Sequence, residues 1–371
     1  MGKPKVLIIS DITEENPLYA NHFSQKFECI RYRPTTKEQY FEDIKSDKLQ
    51  DINAVLVMWY AFIELGATLD KDIIEALPQT VQVFAFASVG HDRYDVDQFT
   101  RKKIILTNNR GLGSVQVAEI AMHLMLSTFR FTSALEHTLR KYNHLNKARG
   151  AARLEVFAEA CPNDCVVDAA ALRRYEFGSE IGGRQALSPF RKRCGILGLG
   201  AIGREIAIRA AAFGMSIHYY TRTPLTKDVL SQLPAHKMTA YPSVDELLPN
   251  CDVLILAIPL STETKHIINA HSLYLLPQGA RVVNIGRGAL IDTAALLAAL
   301  DDGHISAAGF DVYECEPDLP DGFADRWDIT VLPHIGYATA DALTEAENGV
   351  MRNIEDVLDG GCGITPINKI E

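Results

Sequence analysis

The run Arg193–Ala207, RCGILGLGAIGREIA, decides how this chain folds. An apolar stretch leads into Gly198, Gly200 and Gly203 in G-x-G-x-x-G spacing, and a helical pattern follows from Arg204. Glycine triplets recur by chance, but between a strand and a helix they mark a dinucleotide loop. The first glycine permits the tight turn, the second lets the backbone approach a pyrophosphate, and the third lets helix and strand pack closely. The amides of Ala201 and Ile202, at the positive end of the new helix, are then available to the phosphates.

Working outward, apolar runs alternate with amphipathic ones on both sides of this loop. Downstream, strands are expected at Gly195–Leu197, Ser216–Tyr220, Asp252–Ile258, Arg281–Ile285 and Ala307–Asp311, with helices such as Arg204–Phe213 and Ala294–Leu300 between them. Upstream, strands are expected at Lys5–Ile9, Cys29–Arg33, Ala54–Met58, Gln82–Ala85 and Ile104–Asn108. Helices fall near Pro17–Lys26, Lys37–Lys48 and Asp70–Leu77, and a long one runs from about Ser114 past Met125. This alternation predicts an α/β protein with two doubly wound parallel sheets. A last helix, Ala340–Leu358, follows the second sheet and can return to the first domain. The stretch Asn146–Glu180 fits neither series and reads as a surface excursion with one short helix.

Composition sets the outer bounds. The 371 residues suit two domains of roughly 150 residues each. With 47% hydrophobic and 23% charged residues the chain is that of a globular protein, and a net charge of −10 argues against a nucleic-acid partner. No run reaches the roughly 18 apolar residues of a membrane span. The opening MGKPKVLIIS reads as a first strand rather than a signal peptide, and Val6 breaks the myristoylation pattern. Seven scattered cysteines read as reduced thiols of a cytoplasmic protein. Cys161 and Cys165 lack a second Cys/His pair, so no metal is expected.

The strand after the glycine loop chooses the cofactor. NAD sites usually end it with a carboxylate for the ribose 2′-OH. Here it ends in Thr221, Arg222 and Thr223, where a guanidinium and two hydroxyls suit a 2′-phosphate. NADP(H) is therefore expected over NAD(H).

Three more segments stand at strand ends: Val282–Asp292 (VVNIGRGALID), Gly309–Pro317 (GFDVYECEP) and Val331–Thr339 (VLPHIGYAT). Ligands of doubly wound sheets bind beyond the carboxyl ends of the strands, so their polar residues should gather there. Reduction of a 2-keto acid needs a cation for the carboxylate, a proton donor for the carbonyl oxygen, and a hydride. Arg287, flanked by Gly286 and Gly288 as if to leave room for a ligand, suits the first. His334 suits the second, and Glu316 can orient its ring and stabilise the charged form.

With these segments in order, the chain resembles the D-isomer-specific 2-hydroxyacid dehydrogenases over nearly its whole length. The likeness rests on GLGAIGREIA, VVNIGRGALID, AAGFDVYECEP and LPHIGYAT. It implies a Rossmann cofactor domain, 112–337, inserted into a flavodoxin-like substrate domain made of 1–111 and 338–371, with an unusual insertion near 146–180. It implies Arg287, Glu316 and His334 as the catalytic Arg, Glu and His. The amides of Val89 and Gly90 in ASVGHD would grip the substrate carboxylate, Asp311 would lie near the nicotinamide carboxamide, and Ile258 and Pro259 under the adenosine. Thr264, Ile285, Gly286, His334 and Gly336 join the cofactor set by the same likeness, which also implies a homodimer and the D configuration. QVFAFASVGHDRYD and NRGLGS are similar to the fungal D-mandelate dehydrogenase-like branch, which implies bulky aromatic or branched 2-keto acids such as benzoylformate, reduced to D-2-hydroxy acids and the reverse. Trp59 and Tyr60 can wall such a side chain, with Tyr337 at the rim. Two rivals keep the same residues: a glyoxylate or hydroxypyruvate reductase, and a dinucleotide-sensing protein resembling the C-terminal-binding corepressors.

Overall fold

A parallel strand buried on both faces needs an unbroken apolar run, and the chain supplies these in two series. The computed structural model describes residues 2–370 apart from 10, 34, 47–48, 59–70, 93, 154–177 and 235–237. The chain divides into two compact units, one of Met1–Leu112 with Ala338–Glu371 and one of Gly113–Tyr337.

The first unit holds β1 (Lys5–Ile9), β2 (Glu28–Tyr32), β3 (Ile52–Val57), β4 (Val83–Phe86) and β5 (Ile105–Thr107) in the order β2-β1-β3-β4-β5. This is the flavodoxin-like 2-1-3-4-5 arrangement. All four pairings are parallel, and the central strands bring Leu7, Val55 and Phe84 into one buried core. The Ala340–Leu358 helix is capped by Thr339, whose hydroxyl accepts from the Ala342 amide. Its residues Ala342, Ala346, Val350, Ile354 and Val357 form one buried stripe at helical spacing, which packs on β3, β4 and β5.

The second unit opens with the Ser114–Arg130 helix and carries a short antiparallel hairpin, β6 (Glu180–Ile181) and β7 (Arg184–Gln185). Its main sheet contains β8 (Arg193–Leu197), β9 (Ser216–Tyr220), β10 (Met238–Ala240), β11 (Val253–Leu256), β12 (Ala280–Asn284), β13 (Ile305–Phe310) and β14 (Ile329–Val331). The order β10-β9-β8-β11-β12-β13-β14 is the Rossmann arrangement with one more strand at its edge. The Ser114–Arg130 helix covers β12 and β13 and packs against the Ala201–Ala212 helix.

Several elements differ from the sequence reading. The strand expected to reach Ile258 stops at Leu256, because its neighbour β8 ends at the paired Leu197 and offers no further ladder. The helix expected to Lys48 stops at Asp43, where the Ser46 hydroxyl bonds back to the Asp43 carbonyl. Strands β10 and β14 have three residues each and show too little alternation to be read as strands. Within 146–180 the Leu145–Arg153 helix buries Ala148 and Gly150–Ala152, so this part is packed rather than a surface excursion. Cys161, Cys165, Trp59 and Tyr60 lie outside the described residues.

Candidate active site

The dinucleotide loop is shaped by close approaches that only glycine allows. Gly198 has φ +98°, and a Cβ there would lie 2.5 Å from Ile258 Cγ2 and 2.7 Å from the Ala257 carbonyl oxygen. A Cβ on Gly203 would stand 2.0 Å from the Gly198 carbonyl oxygen, so the helix lies directly on the turn. At Gly200 nothing lies within 4 Å of that position, and no side chain caps the Ala201–Ala212 helix that begins there. Open space beside uncapped helix N–H groups is what a pyrophosphate requires. The loop therefore fits a dinucleotide.

Around it, the Gly198 amide donates to the Tyr220 carbonyl at 2.9 Å, which sets the end of β9 beside the glycine turn. Thr221 follows half-buried, and Arg222 and Thr223 are exposed. The Glu263 carboxyl is held below its usual range, chiefly by the Ser261 hydroxyl, with a smaller contribution from Arg222. Ile258 is half-buried against Gly198 and Pro259 is exposed. The Thr264 hydroxyl closes its own turn, accepting from the Ser261 amide at 2.7 Å and donating to the Pro259 carbonyl at 2.9 Å. Ile285 is buried in the core beneath the loop.

Arg287 stands just past β12, where Asn284 braces the turn. The Asn284 carboxamide donates to the Arg287 carbonyl at 2.8 Å and accepts from the Gly286 amide at 3.1 Å. Arg287 Nη1 donates to the Gly286 carbonyl at 2.8 Å. Gly286 and Gly288 were expected to leave room for a ligand, and both are corrected: a Cβ on Gly286 would lie 2.8 Å from the Ile258 carbonyl oxygen and 2.9 Å from Leu290 Cδ1. A Cβ on Gly288 would lie 1.8 Å from the Tyr313 carbonyl carbon and 2.1 Å from the Glu314 amide nitrogen, so the space belongs to the neighbouring loop. Gly288→Ala is expected to lower stability by at least about 1–3 kcal/mol through overpacking. Denaturant unfolding checks this, and an unchanged midpoint contradicts it.

The loop that Gly288 touches carries Glu316. Its Oε1 accepts from the Tyr313 amide at 3.0 Å, and Oε2 lies 3.2 Å from His334 Nδ1. Two residues earlier, Glu314 meets His266 Nε2 at 2.7 Å and the Thr293 hydroxyl at 3.0 Å. His334 sits in the left-handed region at φ +53°. The residues after it are tied down by Asp311, whose two carboxylate oxygens accept from the Ile335 amide at 2.8 Å and the Gly336 amide at 2.7 Å. Burial pushes the Asp311 carboxyl above its usual range, against the pull of these two N–H groups and of His334. The Tyr337 ring lies over Gly113. Glu316 and His334 are thus in contact, and backbone packing joins the Arg287 turn to the Glu316 loop.

In the first unit, Val89 and Gly90 follow β4. Val89 is exposed, and its carbonyl accepts from Asn108 Nδ2 at 2.7 Å. Sequence reasoning missed Asn284 and Asn108, and named Asp311 for the cofactor without seeing that it braces Ile335 and Gly336. For Asn284 there was a signal, a single amide directly after the apolar pair Val282 and Val283.

Comparison with known proteins gives the family. The family model for the D-isomer specific 2-hydroxyacid dehydrogenase NAD binding domain matches residues 170–336. A glyoxylate reductase of Thermococcus kodakarensis is 31% identical, with 99% of this chain and 97% of the relative covered. The chain belongs to the D-isomer specific 2-hydroxyacid dehydrogenase family. A 4-methyl-2-oxopentanoate reductase A of Aspergillus oryzae is 29% identical over 98% of this dehydrogenase and 97% of the relative. Among solved structures, the holo form of Rhodotorula graminis D-mandelate dehydrogenase superposes with a TM-score of 0.84 at 28% identity, covering 100% of this chain and 99% of that one. The dehydrogenase is therefore an enzyme of 2-hydroxy and 2-keto acid chemistry that carries an NAD(P)-binding domain. Among the described residues, no helix is long and apolar enough to cross a membrane.

Proposed function

We propose that this dehydrogenase reduces bulky 2-keto acids to D-2-hydroxy acids with NADPH, and catalyses the reverse oxidation. The observation that carries the reaction is the His334–Glu316 pair, with Nδ1 3.2 Å from the carboxylate. Glu316, itself held by the Tyr313 amide, accepts a hydrogen bond from Nδ1–H and leaves Nε2 as the nitrogen that works on substrate. His334 donates its proton to the carbonyl oxygen in reduction and takes it from the hydroxyl in oxidation. Arg287 pairs with the substrate carboxylate and polarises the carbonyl. In the first unit, the Val89 and Gly90 amides are donors suited to a substrate carboxylate. When bound, the reduced nicotinamide supplies the hydride. Gly198, Gly200, Gly203 and the amides of Ala201 and Ile202 hold the pyrophosphate.

The absence of a carboxylate at the end of β9 supports NADPH, with Thr221, Arg222 and Thr223 on the 2′-phosphate. Arg222→Ala is expected to shift the ratio of kcat/KM for NADPH over NADH toward NADH by about tenfold, the loss of one charge-assisted hydrogen bond. An unaltered ratio removes Arg222 from cofactor choice.

Likeness to the D-mandelate and 4-methyl-2-oxopentanoate enzymes supports a bulky substrate. A second reading, glyoxylate reduction, has its own support in the Thermococcus relative at 31% identity. Steady-state rates on benzoylformate, 2-ketoisovalerate and glyoxylate separate the two: faster turnover of glyoxylate than of the bulky acids supports the second. The free thiols of Cys29, Cys194, Cys251, Cys315 and Cys362 support a cytoplasmic setting, and the family likeness supports a homodimer.

A further inference from the structure

We infer that Asn108 is a positioning residue for substrate binding, acting through the Val89–Gly90 peptide. The inference rests on the reading above that the amides of this loop take the substrate carboxylate. All the groups involved belong to the first unit.

Three consecutive carbonyls of the loop are tethered. The Ser88 carbonyl accepts from the Asn109 amide at 3.2 Å, the Val89 carbonyl from Asn108 Nδ2 at 2.7 Å, and the Gly90 carbonyl from the Ser88 hydroxyl at 3.1 Å. Among the described residues, nothing accepts from the Val89 or Gly90 N–H groups. A loop whose acceptors are all occupied while its donors stay open is built to meet an anion.

Asn108 holds the Val89 carbonyl with a side chain that is buried, at 5% exposure, and is itself fixed. Its amide donates to the Thr365 carbonyl at 3.3 Å, and its own carbonyl accepts from Asn353 Nδ2 at 3.4 Å and from the Thr365 hydroxyl. The carboxamide is thereby held against the Val89 oxygen. A donor on that oxygen polarises the whole Val89–Gly90 peptide, and its far end is the Gly90 N–H. Asn108 therefore sets the position of the Gly90 N–H and sharpens it as a donor to a carboxylate. Asn108 thus supplies direction to a neutral donor.

The test compares a 2-keto acid with its methyl ester, which keeps the reacting carbonyl and lacks the negative charge. Asn108→Ala removes the donor, and Asn108→Asp places an acceptor against the Val89 oxygen. For Asn108→Ala, KM for the acid is expected to rise about tenfold, equivalent to about 1.4 kcal/mol. Asn108→Asp should raise it further, while KM for the ester and Kd for the reduced cofactor stay within about twofold of wild type. Unfolding midpoints are measured alongside, and Asn108→Ala carries the test should the aspartate variant not fold. An unchanged KM for the acid overturns the inference, and so does an equal loss on acid and ester. Gly90→Pro, which deletes the N–H itself, separates the two levels. If it leaves KM for the acid unchanged, the amide reading of the loop falls, and Asn108 with it. If it raises that KM while the Asn108 variants do not, only the role of Asn108 falls.

Discussion

His334→Ala lowers kcat for keto-acid reduction by about 100- to 10,000-fold, the contribution of one positioned acid–base group. The physical reason lies in the pairing at 3.2 Å with Glu316, which fixes the ring through Nδ1. Cofactor Kd is expected to change only modestly, because the glycine loop lies on other strands of the same sheet. Glu316→Gln should give a smaller loss. The amide keeps an oxygen for the Tyr313 amide or the imidazole but loses the charge that both carboxylate contacts share. Steady-state kinetics with cofactor titration checks both variants, and near-normal turnover of His334→Ala removes the residue from the mechanism.

Arg287→Lys raises KM for the keto acid by about 10- to 100-fold, the value of a hydrogen bond to a charged group. An ammonium keeps the charge but loses the planar fork that meets a carboxylate with two parallel N–H bonds. The turn itself should survive, because Asn284 bonds the Gly286 amide and the Arg287 carbonyl, while the guanidinium adds its bond to the Gly286 carbonyl. Stability is therefore expected to fall by no more than about 1.5 kcal/mol, the worth of one such hydrogen bond. An unchanged KM and kcat contradict the role given to Arg287. A large loss of stability instead assigns the residue to the architecture of the turn.

The parts of this molecule legible in its sequence are those written in runs and spacings. Short, mostly apolar runs located β1 and β12, alternation located β9, and the stripe from Ala342 to Val357 located the last helix, because burial on one side of β9 and of the helix imposes a period. The glycine spacing located the dinucleotide turn, because the close approach of Gly203 to the Gly198 carbonyl admits no side chain. The braces were another matter. Asn108 meets Val89 across 19 residues, and Asp311 meets Ile335 and Gly336 across 24 and 25, through single hydrogen bonds that leave no periodic trace. Gly288 shows the same limit from the other side. Its place beside Arg287 suggests a ligand, while the atoms that need the room belong to Tyr313 and Glu314.

The central claim is best tested by the initial rate of NADPH and then NADH oxidation across glyoxylate, pyruvate, 2-ketoisovalerate, phenylpyruvate and benzoylformate, with chiral analysis of the product. The account predicts fastest turnover with NADPH on the branched and aromatic acids, giving the D-hydroxy acid. Turnover of glyoxylate alone contradicts the bulky-substrate reading, equal or faster rates with NADH contradict the Arg222 reading, and no turnover with either cofactor contradicts the account as a whole.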